Sequence, residues 1–173
     1  MSRISILGQL ANFLCYISLQ VVCARSSVLS HTAFCFIYVA FLLLLPWRST
    51  GWAKLLVVGF VVGLLIDALY DSWGLHAFSS VLLVYCRAHL LQAMLPINDY
   101  EMATQPTLYN LGLKRFSLFA FILIGIHHIA LFSLDAYDTG LIFTVLQKAA
   151  CSTLFTYVAV LLTHGTTLIS HHN

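Results

Sequence analysis

Residues 59–77 read Gly59-Phe-Val-Val-Gly63-Leu-Leu-Ile-Asp67-Ala-Leu-Tyr-Asp71-Ser-Trp-Gly74-Leu-His76-Ala77. The block sets a small-residue pair, Gly59-x-x-x-Gly63, one helical turn before an acid, inside an apolar run long enough to lie in a membrane. In lipid, small residues let two helix backbones approach closely. An acid at that depth is costly and usually has a partner or a task. Asp71-Ser-Trp-Gly74 is a turn signal. The block therefore predicts a packed helix end that faces protein, a tight turn, and a second helix starting at Leu75.

Composition extends this reading to the whole chain. Of 173 residues, 61% are hydrophobic and only 8% charged. A soluble domain is about 25% charged. This chain cannot cover a water-facing surface, so it reads as an integral membrane protein of one all-α domain, with no room for a separate soluble catalytic domain. A formal charge of +2 is too small to suggest nucleic-acid binding. Five cysteines (Cys15, Cys23, Cys35, Cys86 and Cys151) lie in or beside apolar runs, none as Cys-x-x-Cys. They read as small packing residues, with no disulfide framework, zinc site or cofactor implied. Met1-Ser-Arg3 and its apolar run lack a convincing cleavage site and read as a retained first helix.

A spanning helix needs roughly 20 apolar residues. Six candidates run from about 4–24, 30–46, 53–70, 75–95, 116–135 and 141–163. The polar stretch 96–115 separates four of them from two, and no internal repeat supports a transporter of two equivalent halves. With the N-terminus inside, the inner side carries Arg3, Arg48, Lys54, Lys114 and Arg115, and Arg87 lies close enough to snorkel to the head groups. The outer loops carry Arg25 with Asp71, Asp135 and Asp138. The bias puts both termini and segment 96–115 in the cytoplasm. Trp47, Trp52 and Trp73 fall at the predicted interfaces. The tail with His164, His171 and His172 is too sparse for a metal tract.

Asp67, His127, His128 and Lys148 share one predicted layer near the outer ends of three helices. Three readings stay open. One is an interhelical ion pair of Asp67 or Asp71 with Lys148, which would specify packing. Another is a polar pocket for a small ligand or lipid head group, and the third is a proton or ion relay. The adjacent pair His127-His128 points to two helix faces and is a poor metal clamp from one helix. No nucleophile–base motif is apparent.

The glycine–acid–glycine block resembles the rod-shape-determining protein family MreD. Pro106-Thr-Leu-Tyr-Asn-Leu-Gly112 leading to Phe116, and Ile126-His127-His128-Ile-Ala-Leu-Phe132-Ser-Leu-Asp135, fit the same family. The resemblance covers most of the chain and is weakest over the first 50 residues. It implies a non-enzymatic scaffold subunit of the bacterial elongation complex, in the inner membrane, bound to MreC and linked indirectly to MreB filaments. Its working partners would be the RodA glycosyltransferase and a penicillin-binding transpeptidase. It implies a fold like the substrate-binding subunits of energy-coupling-factor vitamin transporters. Asp67 and Gly74 match the family's recurrent acid and glycine. Where other members often carry Glu at the end of the His-His helix, this chain has Asp135. The reading from another class is a small-molecule-binding subunit of a membrane transporter, for which Asp67, His127, His128 and Lys148 would have to line the pocket. From the residues alone, Asp67 is expected to hold its helix against Lys148 or His128, and Gly59 and Gly63 to seat another helix.

Overall fold

The computed structural model describes residues 6–26, 28–29, 32–46, 51–95, 105–136 and 142–170. Expectations placed on Arg3, Trp47, Arg48, Asp138, residues 96–104 and the 171–173 tail lie outside them, as do those on the side chains of Cys23, Arg25 and His164.

The chain is mostly helical. Helix α1 covers Ile6–Ser26, and strands β1 (Val28–Leu29) and β2 (Ala33–Phe34) pair antiparallel with Leu29 opposite Ala33. Helix α2 is the short Tyr38–Leu44. Helices α3 (Trp52–Tyr70), α4 (Leu75–Met94), α5 (Leu108–Asp135) and α6 (Ile142–Ser170) follow. Four of these, α3 to α6, are long and apolar enough to cross a membrane, α6 through its 142–163 part, while the apolar stretch of α1, Gly8–Val22, is shorter. The architecture is that of an all-α, multi-pass membrane protein. Apolar side chains such as Phe60, Leu64 on α3 and Phe143, Leu154 on α6 cover its outside, where a bilayer replaces water.

The sequence expectation of a span over 30–46 is corrected. Residues 33–36 are non-helical, residues 35–37 are buried, and only the seven residues from Tyr38 are helical. Non-helical backbone at membrane depth must bond to protein. Here Ser152 Oγ accepts from the Phe34 amide at 3.0 Å and Thr156 Oγ1 from Phe36 at 3.1 Å. Gln20 of α1 takes both polarities: its Nε2 donates to Cys35 O and its Oε1 accepts from the Tyr38 amide. An apolar run that folds back into the bundle has the same composition as one that crosses it.

A second correction concerns 96–115. Its last eight residues are helical: Thr107 caps α5, accepting from the Asn110 amide at 3.2 Å, and the helix continues to Asp135. At 28 residues α5 would be about 42 Å long. Gly112, at φ 72° and ψ 160°, breaks it, so the straight part begins near the expected start at 116. Tyr109 and Leu113 around the break are exposed.

The α3–α4 hairpin matches its expected limits closely. Both motif glycines face α4 of the same chain. A Cβ on Gly63 would sit 2.4 Å from Ala77 Cα and 2.5 Å from His76 O, so backbone meets backbone there. Gly59 is looser, with Val84 Cγ2 at 3.0 Å. The turn needs left-handed backbone at Asp71 (φ 53°) and Gly74 (φ 86°). Glycine adopts that conformation without strain, whereas Asp71 is one of the short polar residues that tolerate it.

Candidate functional site

Asp67 lies in the last turn of α3 and is 6% exposed. Gly74, the N-cap of α4, has no side chain to satisfy the first amides of that helix. Asp67 performs the task from the preceding helix. Its Oδ1 accepts from the His76 amide and its Oδ2 from the Ala77 amide, both at 2.9 Å. The carboxylate thus sits at the positive end of α4, where both the free N–H groups and the helix dipole favour an anion. The Ser72 hydroxyl also donates to Oδ1 at 2.7 Å.

With the Ser72 proton committed to Asp67, the His76 Nδ1–H is shared between Ser72 Oγ at 2.9 Å and Asp67 Oδ1 at 3.1 Å. That fixes the tautomer by its partners. The expected pairing of Asp67 with Lys148 or His128 is therefore corrected: its oxygens are occupied by α4 and the turn, and its ion-pair geometry is with His76. Lys148 is partly exposed on α6, and Asp71 and Asp135 are exposed at helix ends. Asp67 is bonded to α4 and the turn, and His127 and His128 to other partners, so no hydrogen bond or ion pair joins Asp67 to either of them or to Lys148 among the described contacts.

The two histidines of α5 are fully buried and face different neighbours. His127 Nε2 meets Tyr38 Oη at 2.8 Å, and Tyr38 lies 3.5 Å from Ser80 Oγ. The His128 Nδ1–H donates to Ile124 O at 2.8 Å, and its other edge is 3.5 Å from Thr156 Oγ1. Their rings stand at 85° with centroids 5.3 Å apart. Between these groups sits Phe36, 3% exposed, with ring centroids 5.2 Å from His76, 6.3 Å from His127 and 5.5 Å from His128. His76 and Tyr70 stack at 5.3 Å beside it. Sequence reasoning missed His76, Tyr38, Phe36, Gln20, Ser152 and Thr156. Three of these carried a signal: Gln20 is a lone amide in an apolar run, and Ser152 and Thr156 repeat at helical spacing on α6.

Chemically, Ser72, His76 and Asp67 are the residue types of a hydrolase triad, but they are wired differently. In a triad the serine approaches Nε2 while the acid holds Nδ1. Here serine and acid both meet Nδ1, and the serine proton points at the carboxylate, so no base is placed to activate the hydroxyl. His76 Nε2 and His127 Nδ1 are buried without a hydrogen-bond partner among the described residues. No cluster of three metal-ligating side chains occurs among those residues.

The fold and this buried network define an all-α, multi-pass membrane protein whose polar groups are tied to one another inside the bundle. Comparison with protein-family models, curated proteins and solved structures finds no match.

Proposed function

We propose that the chain is a non-enzymatic scaffold subunit of the bacterial elongation complex, a member of the MreD family. In this reading it lies in the inner membrane with both termini in the cytoplasm. It binds MreC, supports the glycosyltransferase and penicillin-binding transpeptidase of lateral wall synthesis, and connects indirectly to MreB filaments. Its architecture would follow the substrate-binding subunits of energy-coupling-factor transporters, adapted to holding partners.

One observation carries the reading: Phe36 fills the space among the buried histidines. The histidines that a transport subunit would turn toward a small molecule, His127 and His128, are packed on this chain's own side chains. The block behind the resemblance is likewise spent on its own hairpin, Gly63 against His76 and Ala77, and Asp67 on their amides. That use suits a rigid body whose outer helix faces hold other membrane proteins. The basic residues Lys54, Lys114 and Arg115 all occur at the end where α3 and α5 begin, which supports a cytoplasmic assignment for that end.

The test is affinity capture of the tagged chain from native membranes with mass spectrometry of its companions. The scaffold reading expects MreC and the wall-synthesis enzymes. Recovery of an ATPase pair with a bound vitamin-sized molecule, and no wall enzymes, would overturn it in favour of transport.

A further inference from the structure

Two amide side chains lie on α1, and the fold treats them oppositely. Gln20 turns inward. Its Nε2 donates to Cys35 O at 3.1 Å and to Tyr70 Oη at 2.8 Å, and its Oε1 accepts from the Tyr38 amide at 3.2 Å. Asn12 is exposed and makes no hydrogen bond among the described residues. Its depth is that of the bundle's interior. Eight residues of helix set it about 12 Å along the axis from Gln20, whose partner Tyr70 ends α3. The neighbouring Phe13 packs on Phe41 of α2 with centroids 5.3 Å apart. Asp67 and Arg87 show how this bundle treats charge at depth. Asp67 bonds the start of α4, and Arg87, 1% exposed, does not snorkel outward but donates to Leu43 O at 3.1 Å and to Leu45 O. Asn12 has no such tie. An amide carries two donors and an acceptor, and hydrocarbon offers them no partner.

Asn12 also belongs to a pattern. Gly8, Asn12, Cys15, Leu19 and Val22 follow one another at intervals of four and three residues, away from the face that carries Phe13, Tyr16 and Ile17 into the core. Asn12, Cys15, Leu19 and Val22 are exposed. This spacing is that of one helix meeting another along its length, with Asn12 and Leu19 in one row of the seam and Gly8, Cys15 and Val22 in the other. Gly8 and Cys15 are small enough for close approach, and an outward amide supplies the hydrogen bond that joins helices in lipid. The outward face of α3 offers Val57, Phe60, Val61 and Leu64 instead, bulky and apolar.

The chemistry of Asn12 names the occupant. Copies of one membrane protein take the same orientation, so two α1 helices related by a twofold axis along the membrane normal run parallel, with Asn12 facing Asn12 at one depth. An amide is its own complement, donor to acceptor in both directions. A single asparagine in such a seam fixes register and favours a two-stranded pair. We propose that the chain pairs with a second copy of itself through α1, Asn12 against Asn12 and Cys15 against Cys15 across the axis. The pairing does not rest on the scaffold reading.

The test is crosslinking of the full chain in the membranes of producing cells, with copper-phenanthroline as oxidant and mass spectrometry of the linked peptides. The unmodified chain should give a covalent dimer joined Cys15 to Cys15, and Cys15→Ser should abolish it. Asn12→Leu, at matched expression and with Cys15 kept, should lower the yield about tenfold, the scale of one interhelical polar contact. Asn12→Gln, which keeps the amide, should restore most of it. Absence of a Cys15–Cys15 peptide from the unmodified chain, Cys15 linked to another protein in its place, an unchanged yield in Asn12→Leu, or a loss that Asn12→Gln does not restore would each overturn the proposal.

Discussion

Asp67 and Arg87 sit at opposite ends of the α3–α4 hairpin and solve the same problem in opposite sign. Each is a charged side chain almost wholly removed from solvent. Each meets a helix terminus of complementary polarity, Asp67 the first amides of α4 and Arg87 the last carbonyls of α2. They differ in reach. The acid joins two consecutive helices across a four-residue turn, with partners 9 and 10 residues away. The base ties α4 to a helix 44 residues earlier. A buried charge that caps a neighbour belongs to local structure, whereas one that caps a distant helix belongs to tertiary structure.

The sharpest way to break this comparison is to pry the hairpin apart. Gly63→Val places a side chain inside the His76–Ala77 backbone, which cannot move without separating α3 from α4. Yield of monodisperse protein in detergent should fall to near nothing. Next comes Asp67→Leu, which leaves the buried His76 and Ala77 amides and the Ser72 hydroxyl without their acceptor. A loss of about 3–5 kcal/mol is expected, read as a large drop in thermal midpoint. Asp67→Asn, which keeps one acceptor oxygen, should recover more than half of it. Arg87→Met should cost less, about 2–3 kcal/mol, because carbonyls tolerate a missing donor better than amides tolerate a missing acceptor. If Arg87→Met proves as damaging as Asp67→Leu in the same thermal assay, the distinction between local and long-range capping fails. Gly59→Ala meets mainly the Val84 methyl, and a shift of about 1 kcal/mol or less is expected. Smallest is His127→Phe. It loses the Tyr38 contact but also removes the unpartnered Nδ1, so the two effects should offset to within about 1 kcal/mol.

The hairpin was legible because its signals are local. Asp71-Ser-Trp-Gly74 marks the turn, and the expected limits fall within a residue of α3 and α4. That Gly59 and Gly63 seat a helix was also readable from their spacing, whereas which helix, α4 of the same chain, was not. The ends of α5 were less so, because Gly112 interrupts a helix that Thr107 has already started. The region before α3 was opaque for a physical reason. Periodicity cannot separate a buried non-helical segment from a buried helix when every residue is apolar, and what holds 33–36 out of a helix is Gln20, Ser152 and Thr156. Similarly, the acid at Asp67 was recognised as buried, but its partner was sought among charges on other spans. The backbone of a helix start carries no letter in the sequence, and the positive end of α4 was the partner.

The non-helical segment has a consequence for how the chain is made. Ser152 and Thr156 lie 118 and 120 residues after the Phe34 and Phe36 amides they satisfy. At about 5–20 residues per second, a ribosome reaches them on the order of ten seconds later. Until then residues 33–37 have no seat in the bundle, and hydrocarbon offers their amides no substitute. The segment must wait at the wet surface of the bilayer or against the insertion machinery. Helix α6 then closes over this earlier segment. A nascent chain stopped before Ser152 should therefore remain open to protease near residue 34, although α3 and α4 are already in place.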